Sequence, residues 1–148
     1  MRQRVLFFWK FTFIMDEIKR INPESLRIPT KAYSQGVFVP SGSDFLFVTG
    51  QLPQDEEGNV VAVGDVKSQT ELVFSRIASI LEEGGMSMDD VVKVQIFVKD
   101  IKDGKIISKI RDEVFVNSRP ASTFVEVSNF VKEGCCLEIE VVAAKPSA

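Results

Sequence analysis

Glu138 and Glu140 alternate with Leu137, Ile139 and Val141, so on a strand both carboxylates project from one face. A carboxylate held in this way can position a water and take its proton, provided burial or a neighbour tunes its basicity. From spacing alone, the same alternation describes a solvated strand face. Tyr33 is the one tyrosine in the chain, with a ring that can pack at a pocket rim and a hydroxyl that needs a partner. There is no histidine, which removes Ser-His-Asp and Cys-His catalysis and imidazole metal sites together. The two cysteines, Cys135 and Cys136, are neighbours. Adjacent thiols rarely form a strain-free bridge and do not enclose a metal, so they read as small residues near a strand start. No metal and no cofactor are expected.

The elements that must position these groups fit one domain. A chain of 148 residues with 45% hydrophobic and 26% charged content is long enough for an apolar core without staples. Its net charge of −3 offers no basic face for nucleic acid. Residues 1–14 gather Phe7, Phe8, Trp9, Phe11 and Phe13 around Lys10. The stretch is too short for a membrane span and lacks a small-residue cleavage site. It reads as an extension ahead of a natural start at Met15, with a weak interfacial anchor as the alternative, leaving 15–148 as the domain. No membrane partner is expected, and the unbridged cysteines suit a reducing cytoplasm.

Gly36 to Val39 and Phe45 to Thr49 read as strands joined by a Pro40–Asp44 turn, with a short apolar piece at Val60 to Val63. Asp65 is placed to cap a helix that Gly84-Gly85 stops. Val66, Thr70, Val73, Ile77, Ile80 and Leu81 form its inner stripe, and Gln69, Glu71, Arg76, Glu82 and Glu83 lie off it. Val91 to Val98 is a strand with Lys93, Gln95 and Phe97 on a face too mixed for core and too apolar for plain surface. Asp103 opens a second helix with a stripe of Ile106, Ile107, Ile110 and Val114. Strands over Ser122 to Val127 and Leu137 to Ala143 complete the order β-β-α-β-α-β-β. Right-handed crossovers send both helices to one face, giving a two-layer α+β domain with one naked sheet face. Phenylalanine and valine on that face call for association.

Five segments carry a more specific signal. They are Lys31-Ala32-Tyr33-Ser34-Gln35-Gly36, Val48-Thr49-Gly50-Gln51-Leu52-Pro53, Asp90-Val91-Val92-Lys93-Val94, Arg119-Pro120-Ala121-Ser122-Thr123 and Leu137-Glu138-Ile139-Glu140-Val141. In this order and spacing the chain resembles the Rid family of reactive-intermediate deaminases, also called the YjgF family, over roughly residues 15–144. The resemblance implies a chorismate-mutase-like fold, a homotrimer and ligand clefts between subunits. It implies a small-molecule ligand, an imine, oxo acid or related metabolite, and hydrolysis of enamines and imines to oxo compounds and ammonia. It implies Glu138 as the group that handles water and Tyr33 as a pocket residue. Thr49 stands at a position where the family commonly has serine, and Ser108 where the second helix often supplies asparagine.

One position departs from the pattern. Where deaminating members have the arginine of Pro-Ala-Arg-Ser, which clamps the substrate carboxylate, this chain has Ser122. A serine donates one neutral hydrogen bond, whereas arginine offers a charged fork. Losing such a contact from a desolvated site costs about 2–5 kcal/mol, roughly thirty- to several-thousand-fold in affinity. Arg119 is the neighbouring guanidinium, but three residues apart on a regular strand means opposite faces, and only a turn at Pro120 would bring it round. The function readings are therefore an imine deaminase with an altered carboxylate site and a small-ligand-binding module without turnover. Ribonuclease or translation inhibition, attributed to some relatives, fits poorly with an acidic chain lacking histidine.

Overall fold

The computed structural model describes residues 16–147, so the expected 1–14 extension lies outside the described residues. Six strands and two helices follow one another: β1 (Lys19–Ile21), β2 (Gly36–Phe38), β3 (Ser43–Gln51), α1 (Val66–Glu83), β4 (Val91–Val98), α2 (Gly104–Val114), β5 (Ala121–Glu126) and β6 (Leu137–Pro146). Short 3-10 turns at Met88–Asp90 and Ile101–Asp103 lead into β4 and α2.

The main sheet has the order β3-β6-β4-β5. β6 runs antiparallel to both neighbours, while β4 and β5 are parallel. The connections β3-α1-β4 and β4-α2-β5 therefore both join parallel strands, and each carries its helix across the sheet. Both helices lie on the same face. Val73, Phe74, Ile77 and Leu81 of α1 and Ile107 of α2 share one buried cluster with Val94, Ile96 and Val98 of β4 and Leu137, Ile139 and Val141 of β6. Phe74 and Phe115 meet edge to face, with ring centroids 5.6 Å apart, a favoured aromatic geometry. The two-layer α+β fold read from periodicity is the fold observed.

The start and stop of α1 are as read. Asp65 accepts hydrogen bonds from the Ser68 amide at 3.0 Å and the Ser68 hydroxyl at 2.7 Å. Gly84 donates back to Ile80 and Gly85 turns away with φ of 72°, a conformation that favours glycine.

Several elements depart from the sequence reading. β2 pairs with the unanticipated β1, with Arg20 opposite Val37, and not with β3. Three exposed residues such as Lys19–Ile21 carry no periodic signal, so only the tertiary pairing reveals them. Near Val60 there is a single bridge to Gln54 in place of a strand. Gln69, expected on the outer face, is fully buried. Its amide donates to Val61 and Gly134 carbonyls at 2.9 Å and accepts from the Cys136 amide at 2.8 Å. Loop backbone over α1 needs those partners, and a glutamine supplies three at once. Arg76 also turns inward, to Gln51 Oε1 at 3.2 Å and Gln54 O at 3.0 Å. On α2, Ile106 is exposed, and Arg111 lies buried one turn beyond Ile107.

The other face of the sheet is open. Phe45 and Phe47 stack there with centroids 6.2 Å apart, and Phe47 is 74% exposed. Lys93, Gln95 and Phe97 of β4, Thr123 and Val125 of β5, and Glu138, Glu140 and Val142 of β6 complete this face by strand alternation.

Candidate functional site

Glu138 is set by the irregularity opposite it. Between Val48 and Gln51, β3 takes three steps while β6 takes two, from Val141 to Ile139. That is a bulge at Thr49-Gly50, a device that re-aims side chains. The Glu138 carboxylate lies across Gly50, where an ideal Cβ would stand 1.9 Å from Glu138 Oε1. Only glycine allows this approach. Gln51, buried beneath, closes the bulge by donating to Thr49 O at 3.1 Å, and Arg76 holds its other end.

Thr49 is exposed on the same side of the sheet. It lines a hollow of about 290 Å³ with Phe47, Lys93, Gln95 and Glu140. Lys93 reaches across to Thr123 Oγ1 at 2.9 Å. Thr49 thus shares its immediate hollow with Glu140.

Ser122 stands elsewhere. It pairs with Val94 in the parallel ladder, and Val94 is fully buried under the helices. Ser122 and Phe124 therefore share the helix side of the sheet, opposite Glu138. Phe124 packs against the core cluster. Ser122 Oγ is fully buried and has no hydrogen-bond partner among the described residues. A buried hydroxyl left without a partner is costly and calls for an occupant or a role.

Tyr33 lies at the edge beside β5. Ser34 makes a parallel bridge to Ala121, its amide donates to Pro120 O at 3.0 Å, and its hydroxyl donates to Arg119 O at 2.7 Å. The segment therefore runs as an added rung along the start of β5. The Tyr33 ring faces the Arg111 guanidinium, 5.7 Å from Cζ to centroid, within cation–π range.

Arg119 does not come round to Ser122. It does sit at a turn, with φ of 45°, a left-handed conformation unusual for a non-glycine residue. Its guanidinium then donates to Lys31 O at 2.9 Å, tying the tyrosine segment to the end of α2. Its role is a strut.

Ser108 lines a larger cavity of about 1090 Å³ with Lys31, Ile101, Lys105, Lys109, Asp112 and Phe124. The structure thus gathers Ser108 and Phe124 at that cavity, with Ser122 and Tyr33 adjoining on β5 and its edge. Glu138, Gly50 and Thr49 form a second group on the opposite face. One chain does not join the two. Among the residues sequence reading passed over, Gly50 and Arg111 matter most. The Ile107-Arg111-Phe115 spacing, one turn each, already placed Arg111 on the buried stripe.

The thiols are poor nucleophiles. Burial pushes Cys136 up to about 12, helped by the Asp103 charge. Cys135 is raised by burial and then by Glu138. Among the described residues, no cluster of His, Cys, Asp and Glu could hold a metal, and no helix is long and apolar enough to cross a membrane.

Comparison with known proteins adds a lineage to this geometry. Residues 24–145 match the family model described as Endoribonuclease L-PSP. A RutC family protein of Pyrococcus abyssi is 41% identical over 117 residues, covering 79% of this chain and 89% of its own length. A protein named 3-aminoacrylate deaminase RutC, from Acinetobacter baylyi, is 37% identical over 123 residues, covering 83% and 94%. Among solved structures, yeast Mmf1 superposes with a TM-score of 0.64 at 28% identity, covering 87% of this chain and 99% of that one. The Rid protein YyfB of Yersinia pestis reaches a TM-score of 0.78 at 23% identity, covering 86% and 98%. This last likeness is one of fold.

Proposed function

The chain belongs to the Rid (YjgF, Endoribonuclease L-PSP) family, and from that premise we propose that it binds small imines and oxo compounds in clefts between copies of itself and hydrolyses the imines. The observation that carries this reading is Glu138 laid over Gly50 on the open sheet face, a carboxylate lying against a glycine bulge.

The open face supplies one half of the cleft, with Glu138, Gly50 and Thr49. The edge of β5 and α2 of a neighbouring copy supplies the other, with Tyr33, Ser108, Ser122 and Phe124. A homotrimer closes such a head-to-tail contact into a ring and buries Phe45 and Phe47. In the cleft, water adds to the carbon of the C=N bond while Glu138 accepts its proton and passes it to the nitrogen, giving the carbinolamine. Glu138 then moves the carbinolamine hydroxyl proton to the nitrogen, the C–N bond breaks, and ammonia leaves with an oxo compound behind. This is general base catalysis. Tyr33 and Phe124 wall the site against bulk water.

RNA is not the ligand proposed. The word endoribonuclease belongs to the family model, and this chain is acidic and has no histidine to act as the usual proton carrier near neutral pH.

The test is to generate 2-iminobutanoate or 2-aminoacrylate enzymatically and follow its decay with and without the protein. Weak acceleration is expected, abolished in Glu138→Gln. Ser122→Arg should raise turnover at least tenfold, about 1.4 kcal/mol. A Ser122→Arg variant that folds, assembles and does nothing would favour a binding module without turnover. Native mass spectrometry showing a stable monomer at micromolar concentration would overturn the cleft.

A further inference from the structure

The bulge beside Glu138 is held from the other side of the sheet. Gln51 pairs with Ile139 in the β3-β6 ladder, and Ile139 is fully buried, so the Gln51 side chain enters the helix layer. Its side-chain amide donates to Thr49 O at 3.1 Å, across Gly50. Its Oε1 accepts from Arg76 Nε at 3.2 Å, and Arg76 Nη1 donates to Gln54 O at 3.0 Å. One guanidinium therefore grips the chain at Gln51 and again at Gln54, just past the bulge. Gln54 is anchored in turn, its backbone amide donating to Leu52 O at 2.9 Å and its strand bridge running to Val60.

Arg76 is spent on this task. It makes no ion pair among the described residues, although α1 carries Glu71, Glu82 and Glu83. Its two bonded donors go to neutral oxygens, and the fixed fork of a guanidinium spans both where the single nitrogen of a lysine would not. Glu138 in turn lies directly on the backbone that this fork steadies. An ideal Cβ on Gly50 would stand 1.9 Å from Glu138 Oε1, 2.8 Å from Cδ and 3.0 Å from Cγ. A side chain packed that closely follows any shift of the backbone beneath it. Displacing a reacting group by about 1 Å can cost on the order of a hundredfold in rate.

We infer that Arg76 is a positioning residue for the reaction, acting from α1 through Gln51 on the Thr49-Gly50 bulge and through the bulge on the Glu138 carboxylate. The inference rests on the reading of Glu138 as general base. Arg76 touches no substrate in this scheme. Its removal slows the chemical step and leaves substrate binding alone, because what it fixes is the distance from carboxylate to water.

The experiment follows hydrolysis of enzymatically generated 2-iminobutanoate by the full chain, together with the Gly50 amide and Glu138 side-chain carboxyl resonances. Arg76→Met should lower kcat about tenfold or more while KM stays within about twofold, and both resonances should move. Arg76→Lys, which keeps one donor nitrogen, should recover part of the rate. Gln51→Glu leaves Arg76 an acceptor but removes the donor to Thr49 O, so it should match Arg76→Met in kcat. The double variant should be no slower than either single one, as groups acting in series require. Lys67→Met, on the exposed start of α1, controls for lost charge and should change nothing. Parental kcat or unmoved resonances in a folded Arg76→Met would overturn the assignment. A loss carried by KM alone would make Arg76 a binding group and end the positioning role, and additive losses in the double variant would break the series. If Arg76→Met does not fold, parental kcat in Gln51→Glu sinks the relay on its own. No acceleration by the unsubstituted protein would take down the proposed hydrolysis, and the two resonances would then decide the relay separately.

Discussion

The two faces of the main sheet obey different rules. Under the helices, every inward position of β4 and β6 is apolar and closed, and the buried Gln69 is held by three backbone contacts, while Ser122 Oγ on β5 is left without a partner among the described residues. On the other side, phenylalanine, lysine, glutamine and glutamate lie side by side, with Phe45 and Phe47 in the open. The closed face is a finished core. The open face leaves apolar side chains in the open, and the carboxylate to which the proposal gives the chemistry stands there. With the chemistry proposed for Glu138, the contrast becomes a division of labour to test: substitutions on one face should unfold the chain, and on the other should disable it while it stays folded.

The sharpest way to break that contrast is to charge the open face. Phe47→Glu should leave the circular dichroism spectrum intact while shifting the native mass spectrum from the proposed trimer to monomer, because a carboxylate cannot be buried unpaired in an apolar contact. A monomer that unfolds instead would mean that the open face is part of the folding core. The opposite substitution is Gln69→Leu on the closed face. It strands two carbonyls and an amide, and should cost about 3 kcal/mol in urea unfolding, since each unpaired buried group costs about 1–3 kcal/mol. Assembly of the surviving folded protein should be unchanged.

Gly50→Ala tests the boundary between the two. A Cβ there collides with Glu138 Oε1, so the carboxylate must move. Imine hydrolysis should fall at least tenfold, about 1.4 kcal/mol, with little loss of stability. A variant of unchanged rate would remove Glu138 from the chemistry. The smallest effect belongs to the α1 cap. Hydrogen bonds from Ser68, the amide first, hold the Asp65 carboxyl below its ordinary range. A carboxyl with a depressed folded pKa stabilises above its unfolded pKa, and that contribution is lost as pH falls through the folded value. Asp65→Ala should lower the melting temperature by roughly 4 °C at neutral pH, and the difference from the parent protein should shrink on acidification below about pH 4. A difference independent of pH would assign the cap to something other than this carboxylate.

The sequence by itself determined the period of every long element and therefore the two-layer fold. Asp65 and Gly84-Gly85 bound α1, the alternation in Val91–Val98 and Leu137–Val141 sorts the faces, and both depend only on local geometry. It also placed Glu138 and Glu140 together on one face of their strand by counting. What counting does not reach is partnership across the chain. Gln69 and Arg76 look like surface residues because polarity is visible in sequence and the loops that cover them are not. β1 escaped notice because three exposed residues acquire their strand only by pairing with Val37 and its neighbours. Arg119 has the turn that could have carried it to Ser122, yet its guanidinium goes to Lys31 O, 88 residues away in sequence. Tertiary structure alone decided that Glu138 rests on Gly50, that Ser122 lies on the opposite face, and that Arg111 is the guanidinium buried beside Tyr33. Those facts depend on which strands lie adjacent and where a bulge falls, and long-range pairing of that kind is set by the packing of the whole chain.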